Sequence, residues 1–402
     1  MATLLLAWAL LAVVAAHGLR LVAFVVSRLP GPKPATPSRG ERVALVRPFR
    51  GLEPDALEKN RSLVHQRYAP LEVWFVAGSR DDAGAGAARA ACREAPGRAR
   101  FLAAGAGGPI VSGKARNMIA GWHASDAPFV AFCDSDLELA PDDVARCMAL
   151  FDAPDVGAVF TPCFFDTDDF AGRLASLVAT ADASVLVAAG ARTGKLNVLQ
   201  GGLMVLRRST VERCGGIELV ADALADDLRL GRVLRRAGHR LRATGRPLVH
   251  RTSAEGTRAW ISRYHRWMLC QKTEAPLAFW AMLLLNPTVV PLAAVLVPGA
   301  GLAARTVLAA GLGGGIALTA LVDRLVLRPA GIRLGRMVLL RPAADALHAL
   351  ACLGALVWPR FAWRGTTYRI ARGGRLLAAT AMPRRTDATA EEERAMRESN
   401  AA

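Results

Sequence analysis

The sequence has few cysteines, and none of them form close pairs. The seven cysteines are scattered singly along 402 residues, without a CxxC motif. Disulfide frameworks and structural zinc sites use cysteines at characteristic spacings, so the sequence predicts neither of them. Scattered single cysteines of this kind indicate a protein that works in a reducing compartment.

Motifs of nucleic-acid-binding proteins are also missing, although the chain is strongly basic. Lys and Arg number 51 against 34 Asp and Glu, which gives a formal net charge of +17. Such an excess suits nucleic acid, an anionic membrane surface or an acidic substrate. Zinc-finger spacing, a helix-turn-helix pattern and an aromatic-basic RNA signature are all absent, so we expect no nucleic-acid partner.

No basic residue precedes the apolar run of residues 3–26, where a signal peptide would carry one. The run is long enough for a bilayer span, which needs ~20 residues. This pattern favours a retained anchor over its alternative, a cleaved signal peptide. Arg28, Lys33, Arg39 and Arg42 follow, so the positive-inside rule places the next domain in the cytoplasm. We expect an integral protein of a bacterial-type inner membrane.

Long hydrophobic runs return near the C-terminus of a chain that is 52% hydrophobic, with a mean hydropathy of +0.26. They cover residues 277–297, 302–322 and 338–358. The third run contains Arg341, Asp345 and His348, so we expect it to be re-entrant, amphipathic or packed against a partner helix. Three full crossings would export the arginine-rich tail, against the positive-inside rule. The third run is therefore predicted not to cross completely.

Short apolar runs alternate with helix-like segments in the middle of the chain. The predicted strands cover residues 43–46, 71–77, 101–103, 129–133 and 157–160, and the main predicted helices cover residues 53–66, 85–94, 114–123 and 227–237. Strands that alternate with helices predict a parallel, doubly wound α/β sheet. In such sheets, ligands bind beyond the carboxyl ends of the strands.

Two acidic clusters follow predicted strands at that edge. Asp134 and Asp136 come directly after one apolar strand, and Asp81 and Asp82 follow another. Residues i and i+2 of an extended segment point the same way, so Asp134 and Asp136 can both reach one cation. Mg2+ and Mn2+ take oxygen ligands, often one or two carboxylates plus substrate phosphates. The alternative interpretation is a solvated acidic turn.

Two further groups of polar residues lie later in the chain. Asp226 and Asp227 begin a predicted helix, where acidic residues can also serve only to complement the helix dipole. Arg263, Arg266 and Trp267 lie in a basic and aromatic segment, a composition that an ordinary interfacial amphipathic helix shares. Taken one at a time, neither group specifies a function.

In their order along the chain, these groups resemble the D, D, D, (Q/R)xxRW signature of processive and lipid-directed inverting glycosyltransferases with a GT-A fold. More closely, the chain resembles ceramide glucosyltransferases and the related bacterial hopanoid-associated glycosyltransferases. The likeness covers nearly the whole chain, with matching motifs at residues 47–54, 114–117 and 363–369. The sequence departs from the eukaryotic ceramide enzymes at Asp136, where they usually have glycine, and in the poorly matched glycine-rich residues 105–114.

The resemblance implies a role for each residue of the signature. Asp134 and Asp136 would hold a divalent ion, Mg2+ or Mn2+, or Asp134 would hold the sugar. The other donor-binding residues would be Pro48, Asp82, Lys114, Arg263, Arg266 and Trp267. The two guanidinium groups suit a pyrophosphate because their forked geometry matches phosphate oxygens.

The acceptor is expected to be a hydroxyl group, and direct displacement then needs a carboxylate that takes its proton. The resemblance assigns this role to Asp227, with Asp226 as the less favoured candidate. Trp267 would shape the acceptor pocket.

Six regions follow from these patterns. They are an N-terminal anchor (1–27), a Pro-rich linker (28–42), a GT-A domain (43–255), an interfacial helix (256–275), a C-terminal membrane region (276–358), and a basic tail with a disordered end (359–402).

The resemblance thus implies an inverting enzyme that moves a hexose, first of all glucose, from a UDP-sugar to a membrane lipid, first of all ceramide. Hopanoid or diacylglycerol acceptors, with UDP-N-acetylglucosamine or UDP-glucose as donor, remain alternatives. A polysaccharide synthase is disfavoured by the small number of C-terminal spans. A non-enzymatic lipid-binding membrane protein is disfavoured by the four-part signature.

Overall fold

The computed structural model describes residues 2–30, 40–105, 110–252, 256–363, 366–371 and 374–381. Most of the predicted linker, the centre of the glycine-rich segment, Arg364 of the tail motif and the predicted disordered end lie outside the described residues.

Twelve strands form three sheets in the described chain. They are β1 (Val43–Pro48), β2 (Leu71–Ala77), β3 (Ala99–Ala103), β4 (Phe129–Cys133), β5 (Val156–Thr161), β6 (Cys163–Thr167), β7 (Leu203–Arg207), β8 (Arg240–Ala243), β9 (Leu248–Thr252), β10 (Arg360–Trp363), β11 (Thr366–Ile370) and β12 (Leu376–Ala381). The central sheet has seven strands in the order β3-β2-β1-β4-β7-β5-β8. Strands β6 and β9 pair separately in parallel, and β10, β11 and β12 form an antiparallel sheet.

The central sheet is mixed, whereas strand–helix alternation predicts a purely parallel one. Strand β7 runs antiparallel to both of its neighbours, β4 and β5, and the other pairs are parallel. An apolar run has no direction that can be read from its composition, so the reversal was not predicted. It places the first residues of β7 beside the last residue of β4, because Leu203 pairs with Cys133.

Fourteen α-helices accompany the sheets in the part of the chain that the structure describes. They are α1 (Ala2–Ser27), α2 (Ala56–Val64), α3 (Ala85–Glu94), α4 (Gly113–His123), α5 (Asp143–Met148), α6 (Phe170–Ala179), α7 (Ala181–Thr193), α8 (Arg208–Arg213), α9 (Asp226–Arg236), α10 (Thr257–Glu274), α11 (Pro276–Leu284), α12 (Val289–Val295), α13 (Leu302–Val322) and α14 (Arg341–Val357). The predicted elements of the α/β domain are all present, with boundary shifts of a few residues. The predicted span over 277–297 is divided into α11 and α12.

Helices cover both faces of the central sheet, which explains its nearly continuous apolar strands. Leu45 of β1 packs with Leu63 of α2 on one face. The next residue, Val46, packs with Trp122 of α4 on the other face. Alternate strand residues point to opposite faces, so both must be apolar here, and all six residues of β1 are buried.

Within the described residues, five helical stretches are long and apolar enough to cross a membrane. They are Ala2–Ser27, Phe170–Thr193, Pro276–Val295, Leu302–Ala330 and Gly335–Val357. Helices α1 and α13 lie side by side and run in the same direction, since His17 meets the Gly311 carbonyl at 3.0 Å and Arg28 donates to the Leu325 carbonyl at 3.2 Å. The end of α13 therefore lies beside the end of α1, and α11 with α12 leads the chain to the start of α13.

The two halves of α14 contact different helices of the preceding chain. The first half contacts α7, and the second half contacts α10. Arg341, at its first turn, binds Asp182 of α7 at 2.7 Å. Near its other end, Lys272 of α10 donates to the Ala355 carbonyl at 2.7 Å. The following sheet then returns to the α/β domain, where the Leu376 N–H donates to the Asp222 carbonyl at 2.9 Å. Gly335–Val357 is among the stretches that are long and apolar enough to span a membrane, so incomplete crossing of the third C-terminal run stays a prediction.

Arg341 is buried and joins α14 directly to α7 and α13. Besides Asp182, it binds Asp345 of its own helix at 2.8 Å and donates to the Thr319 hydroxyl of α13 at 3.2 Å. Arg20 of α1 binds the same Asp182 at 2.8 Å and donates to Thr319 at 2.9 Å. Two arginines and two aspartates thus connect α1, α7, α13 and α14, and we call these four residues the charge cluster.

The position of the tail sheet can be checked by cysteine labelling of a variant that lacks the seven native cysteines. Exposed Arg93 of α3 and exposed Arg369 of β11, each replaced by cysteine, should react with an impermeant reagent from the same side of the membrane. A cysteine at Leu302, the 81% exposed first residue of α13, should react from the opposite side. If the variants at Arg369 and Leu302 were labelled from the same side of the membrane, α14 would have to cross it.

The charge cluster gives a prediction for stability. Asp182→Asn would leave Arg20 and Arg341 buried with too little negative charge, and breaking a buried ion pair typically costs ~3–5 kcal/mol. The thermal midpoint of the purified protein should fall clearly. Asp81→Asn, at an exposed position, is the matched control and should leave the midpoint unchanged. Equal midpoints for the two variants would show that the cluster does not stabilise the fold.

Candidate functional site

Asp134 and Asp136 lie at the carboxyl edge of the central sheet, in a turn and not on an extended strand. Strand β4 ends at Cys133, and the Leu137 N–H reaches back to the Asp134 carbonyl at 3.4 Å. The expectation that the two residues lie on an extended segment is therefore wrong. Both side chains are 35% exposed, and both line the same cavity.

Lys114 connects Asp134 to the two aspartates at the start of α9. It lies in the first turn of α4, whose N-cap residue Ser112 accepts a hydrogen bond from the Ala115 N–H at 3.3 Å. Its ammonium lies 2.9 Å from Asp134 and 3.2 Å from Asp226. Burial alone would lower the pKa of Lys114, but the surrounding carboxylates outweigh burial and raise it. Lys114 is thus a fixed positive charge between two acids.

Asp227 is held by two backbone N–H groups. Its Oδ2 accepts from Gly201 at 2.8 Å, and its Oδ1 accepts from Leu228 at 2.7 Å. A Cβ at position 201 would lie 3.1 Å from Oδ2, so glycine permits this close approach. Burial and the neighbouring Asp226 carboxylate raise the pKa of Asp227 to about 7, against the opposing effect of Lys114.

Asp134 and Asp136 have opposite pKa shifts. Burial raises the pKa of Asp134 to about 6, and Asp136 adds to this effect while Lys114 opposes it. The pKa of Asp136 is lowered, because the positive charge of His250 and Arg263 outweighs its burial. The His250 ring lies 3.5 Å from Asp136. Asp136 is therefore the more firmly ionised of the two carboxylates.

Helix α10 carries the basic and aromatic residues of the signature, and all three line the cavity. The Arg263 guanidinium lies 5.1 Å from the Trp260 ring centroid, and that of Arg266 lies 5.5 Å from the Trp363 ring centroid. The Trp267 ring packs 4.9 Å from that of Phe165. Aromatic faces therefore fix the cationic groups of this helix.

Pro48 and Asp82, both predicted to bind the nucleotide-sugar donor, lie in different surroundings. Pro48 ends β1 and lines the cavity. Asp82 accepts the Gly51 N–H with both oxygens, at 2.9 and 3.1 Å, and the Gly84 N–H at 2.9 Å. Among the described residues, Asp82 is not part of the cavity lining. Its carboxylate holds the loop after β1, so a contact between Asp82 and a nucleotide stays a prediction.

The cavity extends from the acidic cluster to the apolar helices and has a volume of about 1030 Å³. At one end it is lined by Lys114, Asp134, Asp136, Asp226, Asp227, Arg263, Arg266 and Trp267. At the other end it is lined by Ala15, Leu19, Arg20, Leu186, Met282 and Leu285. One continuous space thus joins the charged edge of the sheet to α1, α7 and α11.

Several lining residues were missed by the sequence-based predictions. His250 is a single histidine on β9, and no spacing connects it with Asp136. Trp363 and Tyr368 of the tail sheet also line the cavity; the sequence placed both in the matching motif of residues 363–369 but gave neither a role in the site. Arg20 did carry a signal, because a charged residue in an apolar helix commonly marks a functional position.

The chain resembles known proteins in sequence and in fold. The sequence matches glycosyl transferase family 21 over residues 4–376. A search of curated proteins finds no match. Among solved structures, the mannosyltransferase PcManGT from Pyrobaculum calidifontis, in complex with GDP-Man and Mn2+, is 21% identical, with a TM-score of 0.56. The match covers 88% of this chain and 99% of that one.

Two shorter matches are to a mycobacterial protein and to glucosyl-3-phosphoglycerate synthase from Mycobacterium tuberculosis. The first is 19% identical, covers 59% of this chain and 76% of that one, and has a TM-score of 0.41. The second is 20% identical, covers 53% and 71%, and has a TM-score of 0.34.

The fold shared with PcManGT is that of GT-A glycosyltransferases, with a parallel-dominated central sheet. Together with the match over nearly the whole sequence, it makes this protein a nucleotide-sugar glycosyltransferase. The chain belongs to glycosyl transferase family 21.

Proposed function

We propose that the protein transfers glucose from UDP-glucose to the hydroxyl group of a membrane lipid, with ceramide as the acceptor and with inversion at the anomeric carbon. The observation that carries this proposal is the continuous cavity between the acidic cluster and the apolar helices. A lipid can enter such a space from the bilayer and present its hydroxyl to the carboxylates. The catalytic domain then faces the cytoplasm, where nucleotide sugars are available.

Asp227 is the proposed base. The acceptor oxygen attacks the anomeric carbon from the face opposite the departing diphosphate, and the hydroxyl proton passes to the Asp227 carboxylate. Its pKa of about 7 suits this step, because an effective base has a pKa near the working pH. Both oxygens already accept N–H groups, so the orientation of the carboxylate is fixed while lone pairs remain for the proton.

Asp226 has a different environment from its neighbour. Its Oδ2 lies 3.2 Å from the Lys114 ammonium, which ties this carboxylate to a cation. We therefore assign Asp226 to positioning Lys114 beside the donor. Arg263, Arg266 and Lys114 then balance the negative charge that develops on the departing diphosphate.

A divalent ion fits the cluster that Asp134 and Asp136 form. Asp134 and Asp136 line the same cavity and are partly exposed, and Asp136 is firmly ionised. No group of three or more possible metal ligands occurs in the part of the chain that the structure describes. One or two carboxylates suffice when substrate phosphates complete the coordination of Mg2+ or Mn2+. When bound there, the ion would neutralise charge on the leaving diphosphate.

Glycolipid synthesis tests the whole proposal. Membranes with the expressed protein should form a glycolipid from UDP-glucose and ceramide, identified by mass spectrometry. Diacylglycerol, a hopanoid polyol and UDP-N-acetylglucosamine should be supplied in parallel. Formation of a polymer, or of no glycosylated lipid with any pair of substrates, would overturn the proposal.

Transfer should depend on a divalent ion, because two carboxylates and a diphosphate otherwise leave negative charge uncompensated. A chelator should abolish glycolipid formation, and Mg2+ or Mn2+ should restore it. Full activity in excess chelator would rule out the assigned metal site.

Asp227→Asn should reduce transfer by ~10²-fold or more, because the amide cannot take the proton. Binding of the nucleotide sugar, measured by calorimetry, should change by no more than a few-fold. Below pH of about 7, transfer by the unaltered protein should fall, because protonated Asp227 cannot act as a base.

Two neighbouring variants serve as controls for this assignment. Asp226→Asn should reduce transfer less than Asp227→Asn does, and Asp134→Asn should weaken donor and metal binding together. If Asp226→Asn abolished transfer while Asp227→Asn retained it, the base would be the other aspartate. Retention of transfer by both would refute the mechanism.

A further inference from the structure

A buried carboxylate ends the helix that carries the basic residues of the site. Glu274 is the last residue of α10, and its side chain is only 1% exposed. Cys270, one turn earlier on the same helix, lines the cavity, but Glu274 does not belong to the lining that the described residues form. Burial of a charge is costly unless the charge is paired. Glu274 therefore acts through the residues that it binds, and not through a substrate.

Glu274 binds two arginines of α9, the helix that begins with Asp226 and Asp227. Its Oε1 lies 3.1 Å from Arg229 Nε, and its Oε2 lies 2.9 Å from Arg232 Nη2. The side chain of Arg229 is 14% exposed, whereas that of Arg232 is 32% exposed. Water solvates Arg232 in part, so Arg229 depends more strongly on a carboxylate partner.

Asp226 is the alternative partner for Arg229 within α9. Residues i and i+3 of a helix are neighbours on its surface, and Asp226 and Arg229 have this spacing in α9. In the structure, the Asp226 carboxylate is instead paired with the Lys114 ammonium at 3.2 Å. An Arg229 side chain that lost Glu274 would turn towards Asp226 and compete with Lys114.

Asp222 is a poor substitute for Glu274. Its carboxylate lies 3.7 Å from Arg229 Nη1, beyond hydrogen-bond distance, and is 43% exposed. Ion pairs at such exposed positions contribute little because water screens them. Glu274 is therefore the main restraint on the Arg229 guanidinium.

We propose that Glu274 is a positioning residue that holds Arg229 away from Asp226. With Arg229 bound to Glu274, Asp226 keeps Lys114 as its partner, and Lys114 stays between Asp226 and Asp134. This inference rests on the proposed function, because it concerns the part that Asp226 and Lys114 play in transfer. It adds a residue outside the cavity on which their geometry depends.

A plain clamp between α9 and α10 is the alternative role for Glu274. A clamp breaks when either partner is lost, so removal of Glu274 or of Arg229 would then have the same effect. If Glu274 restrains Arg229, only the loss of Glu274 releases a cation beside Asp226. Removal of Arg229 is then harmless, because Glu274 still has Arg232 as a partner.

The first test compares these two roles. It measures kcat at saturating UDP-glucose, with the lipid that the unaltered protein glycosylates fastest, per donor-binding site counted by calorimetry. Glu274→Gln is nearly isosteric and should lower kcat by ~10-fold, because Lys114 loses its position beside the donor. Arg229→Gln should keep kcat within about twofold of the unaltered protein, and the double variant should recover to that level. Equal losses for the two single variants, or no recovery in the double variant, would overturn the inference.

The second test removes the competing carboxylate. In an Asp226→Asn background, Glu274→Gln should cause no further loss of kcat, because Arg229 then has no carboxylate at this position to bind. Asp152→Asn breaks another partly buried pair, with Arg242 at 3.3 Å. It controls for the loss of an ion pair elsewhere and should leave kcat unchanged. Additive losses from Asp226→Asn and Glu274→Gln would show that Glu274 acts independently of Asp226.

The outcomes separate this inference from the proposed function. Transfer with additive losses would refute the role of Glu274 and leave lipid glycosylation intact. Absence of transfer to every lipid would refute the proposed function, and the inference with it. If Glu274→Gln does not fold, as judged from its thermal midpoint, Glu274→Asp takes its place. This shorter carboxylate should lower kcat by a smaller factor, and Arg229→Gln should again restore it. An unchanged kcat, or no restoration, would overturn the inference.

Discussion

The charge cluster around Arg341 is the interaction on which the architecture depends. It connects α14 to α7 through Asp182 at 2.7 Å, and α1 binds the same carboxylate through Arg20. A buried arginine that lost its carboxylate would face an unfavourable apolar environment, so the helices must keep this arrangement. Helix α7 belongs to the α/β part of the chain, and α1 is the N-terminal apolar helix. The cluster therefore fixes the position of α1 relative to the α/β part.

The same arrangement creates the cavity. Its charged end is formed by residues around the central sheet, and its apolar end by α1, α7 and α11. At the charged end, Lys114 lies between Asp134 and Asp226, which reduces repulsion among nearby carboxylates. Asp227 does not share a close contact with this cation. Burial and the neighbouring Asp226 carboxylate raise the pKa of Asp227 to about 7, which suits the proposed role of Asp227 as the base.

The antiparallel strand β7 determines the inner geometry of the site. Its reversal brings Gly201 and Gly202 next to the end of β4, where the Gly202 carbonyl accepts the Asp134 N–H at 3.0 Å and the Gly201 N–H binds Asp227 at 2.8 Å. A strand parallel to β4 in this position would place its carboxyl end beside the end of β4. The tail sheet adds Trp363 against Arg266, so residues from the end of the described chain complete a site built from its middle.

The sequence alone determined the α/β class, the positions of most elements and the order of the acidic and basic motifs. These follow from local properties, since apolar periodicity and carboxylates after buried strands are visible without neighbours. Only the tertiary structure decided the direction of β7, the turn at Asp134, the capture of Asp82 by backbone N–H groups, and the pairing of His250 with Asp136. Apart from the local turn at Asp134, these features depend on contacts between residues distant in sequence, and such pairing leaves no pattern in the spacing of a single chain.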